Sequence, residues 1–274
     1  MRVTHLMLAA TAALALAGPA FGHSPYLAPV TFAPDREYVT VQGAMSESNF
    51  FVPDFPIRAA GDYWATGPSG EAVSIGPGVN LKEMSVIEVA LPQEGTWKIS
   101  TGDRGGRVGR FANIGGQWKS IRAPQGGRDG ANVIDEAAVP AGAEIAESVG
   151  TLKAETYVTR GAPSQGALKA TGKGFEITPV THPNELFAGD AFDILVTIDG
   201  KPVSGVDFTI ARAGDIYAEK KFTYAGKTDA VGAAAITFAD PGAYVLESHY
   251  GQVEPGSKPN PKTYTYSLSF EVTK

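Results

Sequence analysis

Short runs in which apolar and polar residues alternate, each closed off by glycine or proline, make up most of this chain. A period of two puts every other side chain on one face, which is how a strand buries half of its residues. The 33 glycines and 19 prolines among 274 residues punctuate these runs, and past position 22 no segment keeps a helical period over three turns. The chain therefore reads as all-β, with strands predicted at 37–42, 84–90, 96–100, 152–159, 175–179, 191–198, 206–211, 221–228, 233–238, 243–250 and 263–272.

Two stretches share a plan. Leu91-Pro-Gln-Glu-Gly-Thr-Trp97 and Phe238-Ala-Asp-Pro-Gly-Ala-Tyr244 each carry a strand end, a turn with glycine, and an aromatic that opens the next strand. In immunoglobulin-like sandwiches an aromatic at such a corner anchors the turn. Each stretch is expected to form a hairpin in the core of its own domain, giving two β-sandwich domains in tandem. The first is placed at 23–160 with long glycine-rich loops, and the second, immunoglobulin-like, at 175–274, with 161–174 as the linker. The glycine- and arginine-rich region 102–146 is expected to hold hairpin turns and a long mobile loop. It lacks the strand, glycine loop, lysine and helix of a phosphate cradle. Asp199-Gly200 has the composition of a two-residue hairpin turn.

Residues 1–22 have the pattern of a cleavable signal peptide: Arg2, an apolar run from Leu6 to Leu16, then Ala20-Phe21-Gly22 before the cut. Export to a periplasm is the expectation, with His23 as the first mature residue. Its α-amine and imidazole Nδ1 would then offer two nitrogens able to close a chelate ring on a transition metal. No later stretch is long and apolar enough to span a bilayer. A net charge of −6 argues against nucleic acid and anionic lipid as partners. The absence of cysteine excludes disulfides and thiolate ligands, leaving imidazole, carboxylate, thioether and backbone oxygen.

Three histidines follow the leader: His23, His182 and His249. If Tyr244 and Leu246 face the core, Glu247 and His249 share the opposite face about 6–7 Å apart, close enough for one metal ion. His182 falls in a loop, Val180-Thr-His-Pro-Asn184. The candidate metal ligands are therefore His23, His182, Glu247 and His249. No nucleophile elbow is present, and the chain is not expected to be an enzyme. The aromatic segment Phe50–Phe55, with Asp54 inside it, is either a corner of the first core or the wall of a ligand groove.

The leading His23-Ser-Pro-Tyr-Leu-Ala-Pro, the run Gly172–Gly189 containing His182-Pro-Asn, Ile198-Asp-Gly-Lys-Pro, Thr228-Asp-Ala-Val-Gly and Gly242-Ala-Tyr-Val-Leu-Glu-Ser-His249 occur in that order. In this they resemble the DUF4198 family of exported bacterial proteins, which is related to periplasmic components of nickel and cobalt uptake. The resemblance implies a periplasmic two-domain β protein with His23 as metal ligand, and it matches His182 and His249 to the family's histidines. Pro25 departs from the His-x-His start of many relatives in the nickel branch. The expected function is a non-enzymatic periplasmic protein that binds a divalent transition metal, nickel or cobalt first and copper by general affinity order, and serves a membrane uptake system. The alternative is a structural or interaction module for an outer-membrane receptor or envelope assembly, without metal.

Overall fold

The computed structural model describes residues 23–47, 50–57, 61–122, 130–214 and 224–274. The leader assigned to 1–22, the segment 123–129 and the first three residues of the strand expected at 221–228 lie outside the described residues. Strands are numbered in chain order. In the first sheet, β1 (Ser24–Pro29), β2 (Tyr38–Ser46), β7 (Ser85–Ala90) and β6 (Val79–Asn80) lie side by side, with β3 (Phe55–Pro56) also paired to β2. The second sheet runs β11 (Val133–Ile134), β10 (Gln117–Ile121), β9 (Arg104–Ile114), β12 (Ile145–Arg160), β20 (Lys262–Val272), β19 (Gly242–Tyr250), β16 (Asp207–Arg212), β17 (Tyr224–Lys227). On the other edge of β12's C-terminal half it continues through β8 (Gly95–Ser100), β4 (Tyr63–Thr66) and β5 (Ala72–Gly76). The third sheet holds β13 (Phe175–Pro179), β14 (Ala191–Ile198), β15 (Lys201–Pro202) and β18 (Ala233–Thr237).

Two cores result, one on each side of the same long sheet system. Leu27, Val41, Ile87 and Val89 of the first sheet pack on Tyr63, Trp97, Ile99 and Val158 of the second. Phe175, Ile177, Phe192 and Ile194 of the third pack on Phe208, Leu246, Tyr266 and Phe270. The parallel pair β12–β20 joins the two halves over eight residue pairs, from Val149↔Lys262 to Thr156↔Ser269. Tyr157 of β12 belongs to the second core, whereas Ala154 and Val158 belong to the first. The 161–174 segment is packed down: Ala167 and Leu168 are buried in the second core, and Gly166 lies so close to the Pro68 carbonyl that a Cβ would collide with it.

The two similar stretches are corners and not hairpins. β7 pairs in the first sheet while β8 pairs in the second, and β18 pairs in the third while β19 pairs in the second. Each glycine turn carries the chain across its core from one layer to the other. The internal likeness extends to atoms: Trp97 Nε1 donates to the Gln93 carbonyl at 3.0 Å, and the Tyr244 hydroxyl donates to the Asp240 carbonyl at 2.7 Å. Both bonds reach four residues back and tie the new strand to its own turn, as the tyrosine corner of immunoglobulin domains does.

The glycine-rich region holds an expected hairpin turn, set between strands that the sequence pattern does not predict. β9 and β10 form a regular hairpin through Gly115-Gly116, both at positive φ, and β9 runs on beside β12. Gly106 faces Gly150 at a register shift where a Cβ would lie 2.8 Å from the Gly150 carbonyl, so glycine is needed for close approach and not for looseness. The Asp199-Gly200 turn is as expected, with φ of 49° and 73° between the paired Ile198 and Lys201.

Candidate functional site

β1 positions the site. It is an edge strand, which accommodates Pro25 and Pro29 without a broken ladder, and it pairs with β2 from Ser24↔Ser46 to Pro29↔Val41. Its two faces go to different places. Leu27 enters the first core, while Tyr26 packs with Ala44, Phe50, Ala211 and Val245 against the outer face of β16 and β19. That contact settles Phe50, which is core, with its ring edge-on to Tyr26 at 6.1 Å.

On β19 the alternation holds as expected: Tyr244 and Leu246 enter the second core, and Val245 and Glu247 take the other face. That other face is covered by β1, so the Glu247 and His249 side chains are only 8% and 7% exposed. Glu247 Oε1 lies 2.5 Å from His249 Nε2, closer than strand geometry alone predicts. The Ser24 hydroxyl donates to the same Oε1 and lies 3.2 Å from the same Nε2. His249 Nδ1 is approached by the Gln252 amide at 3.2 Å and the Thr265 hydroxyl at 3.4 Å. Three donor atoms from two distant parts of the chain therefore meet at one point. A fourth, Ser46, faces Ser24 across the β1–β2 ladder; its hydroxyl is buried without a hydrogen-bond partner.

This is not a hydrolytic triad. In a triad the serine and the carboxylate engage opposite nitrogens of the imidazole, so that the acid orients a base that remains open to the hydroxyl. Here both crowd Nε2.

The four expected ligands do not assemble. His23 Nε2 turns to Asp54 Oδ2 at 3.5 Å, on the face of β1 opposite Ser24, and its ring lies 4.8 Å from that of Phe55. Asp54 is held by the Glu47 amide at 2.8 Å. His182 is in a different place. Asn184 N–H donates to its Nδ1 at 3.2 Å, and its Nε2 faces Thr96 Oγ1 at 2.9 Å. Thr96 Oγ1 meets Thr159 Oγ1 at 2.9 Å, which donates to Asn184 Oδ1 at 2.9 Å. The ring of bonds closes on His182 and occupies both of its nitrogens, so the expected metal role is replaced by a structural one. Among the described residues no three His, Asp or Glu side chains form a cluster able to hold a metal by themselves. Ser24 and Ser46 escaped sequence reasoning, because serine carries no signal until the register between strands is known.

The pair opens to the surface through a cleft of ≈ 620 Å³. Thr209, Ala225, Asp207 and Lys227 form its floor, and Gln252 to Pro255, the loop after β19, form its far wall.

The D0-D1 domain of intimin is 13% identical, with 90% of this chain and 97% of that one covered, at a TM-score of 0.24. A biofilm associated protein BSP domain is 11% identical, covering 90% of this chain and 30% of the other, at 0.20. A putative membrane anchored protein from Corynebacterium diphtheriae is 10% identical, covering 92% and 59%, at 0.22. No curated protein matches the chain. The profile of a family described as a domain of unknown function (DUF4198) matches residues 20–252. That span includes every strand from β1 to β19 and all the candidate ligands, and the chain belongs to the DUF4198 family.

Proposed function

We propose that this protein is an exported, periplasmic binding protein for a divalent transition metal, nickel or cobalt, serving as an adaptor to a membrane uptake system and built as two β-sandwich domains in tandem. The observation that carries the reading is the convergence of Ser24 Oγ, Glu247 Oε1 and His249 Nε2 beside the unpartnered Ser46 hydroxyl, at the base of an open cleft. Buried polar atoms without partners are rare and call for an explanation. A carboxylate oxygen, an imidazole nitrogen and hydroxyls suit a borderline divalent ion. If the leader is removed after Gly22, the α-amine of His23, on the residue adjoining Ser24, supplies a further nitrogen. A site with so few protein donors holds its ion weakly, as a carrier that must release cargo requires.

Titration calorimetry with Ni²⁺, Co²⁺, Cu²⁺ and Zn²⁺ tests this on protein whose His23 terminus is verified. Binding of at least one ion tighter than about 100 μM is expected, and its absence for all four supports a metal-free interaction module instead. A Met placed before His23 turns the amine into an amide and should weaken binding at least tenfold, about 1.4 kcal/mol. Equal affinity of the two termini would remove the His23 amine from the site and leave it to Glu247, His249 and the serine hydroxyls.

A further inference from the structure

The cleft above Glu247 and His249 is too large for the ion just proposed. Six waters at about 30 Å³ each make a hydrated ion roughly 180 Å³ in volume, whereas cavities of several hundred Å³ accommodate organic molecules. The cleft measures ≈ 620 Å³. Its floor is one face of the edge of the second sheet, and the register fixes what stands on it. Asp207 pairs with Lys227, Thr209 with Ala225, and Thr209 again with Glu247, so these side chains all project the same way. From β17 across β16 to β19 is two interstrand spacings, about 9–10 Å. Lys227 therefore stands at one end of the floor and the Glu247–His249 pair at the other.

Charge narrows the occupant. Among the described residues, Asp207, Glu247 and Glu254 line the cleft against one lysine, Lys227. That balance repels a polycarboxylate and favours a complex with net positive charge and one carboxylate. Resting on the metal-binding reading above, we infer that the cargo enters as a complex of the divalent ion with one amino-acid chelator. The ion meets His249 and Glu247. The chelator coordinates through its amine and one carboxylate oxygen, and the second carboxylate oxygen accepts from Lys227 Nζ. Lys227 already pairs with Asp207 Oδ1 at 3.0 Å at a solvent-exposed position, so it can turn toward a ligand without unpacking anything.

Equilibrium dialysis with radiolabelled nickel and differently labelled histidine tests this on the mature protein. Four mixtures are compared: nickel alone, histidine alone, the two in equal amounts, and nickel with citrate. Nickel and histidine together should be retained one to one, at least tenfold more tightly than nickel alone, with nickel citrate excluded. Lys227→Ala should lose at least fivefold in histidine retention while keeping its affinity for nickel alone, and Lys227→Arg should restore it. His249→Ala should lose both labels. Retention of nickel without histidine, or a Lys227→Ala variant indistinguishable from the parent, overturns the chelate and leaves metal binding standing. Failure to retain nickel in any mixture overturns metal binding itself, whereas retention of histidine in the absence of nickel overturns the chelate.

Discussion

Both ring nitrogens of His182 face protein groups that are themselves held in place, while those of His249 face a carboxylate and hydroxyls at the base of a cleft. The two residues should therefore fail differently. His182→Ala strands Thr96 and Asn184 in a buried setting and should cost about 2–4 kcal/mol in urea unfolding, with metal affinity unchanged. His249→Ala should instead lower nickel affinity at least tenfold in calorimetry, about 1.4 kcal/mol. The reverse pattern would exchange their roles. Period-two reading was enough to place Glu247 and His249 on one face. It could not place His182, whose partner Thr96 lies 86 residues away, nor find Ser24, whose partner Glu247 is 223 residues away. Such contacts depend on which sheets pack together, and alternation within one strand holds no information about that.

β1 shows the same limit one level up. Two prolines in six residues argue against a strand, yet an edge position tolerates both, and Tyr26 and Leu27 are completely buried. The segment that follows His23 is thus a structural element. Leu27→Ala should cost about 2–5 kcal/mol, whereas a Met added before His23 leaves the Ser24–Pro29 ladder intact and should leave the urea midpoint unchanged. The corners were legible in part. Their glycine-then-aromatic pattern announced a shared plan, but a hairpin and a crossing between layers have the same local sequence, and only pairing partners distinguish them. If the Trp97 and Tyr244 bonds are equivalent, Trp97→Phe and Tyr244→Phe should each lose about 1 kcal/mol of hydrogen-bond energy, the former adding the loss of indole packing. The strands β9 and β10 of the glycine-rich hairpin were hidden because glycine signals turns more often than strands.

At the scale of the molecule, the parallel pair β12–β20 binds the halves, and a buried charge network sits on that seam. Glu155 on β12 faces Lys98 Nζ at 3.7 Å and accepts from the Tyr266 hydroxyl of β20 at 2.6 Å. Burial alone would raise the Glu155 pKa. The Lys98 and Lys153 charges, with hydrogen bonds from Tyr266 and Ser100, outweigh it and hold the carboxyl below its ordinary value of 4.5. A depressed native pKa makes the unfolded chain the better proton binder. The stability this group contributes is therefore full above about pH 4.5 and is lost as pH falls below it toward the depressed native value. Glu155→Gln should remove that acid-sensitive limb. It should also cost about 3–5 kcal/mol near neutrality, because Lys98 remains buried without its carboxylate. Since Tyr157 and Tyr266 on these same strands belong to the second core, the damage should reach both halves. Calorimetry of the parent should then show a single cooperative transition, and Glu155→Gln should lower that one transition. Two separated transitions in the parent, with only one moved by the substitution, would mean that the halves fold independently and that the seam is a contact between finished domains.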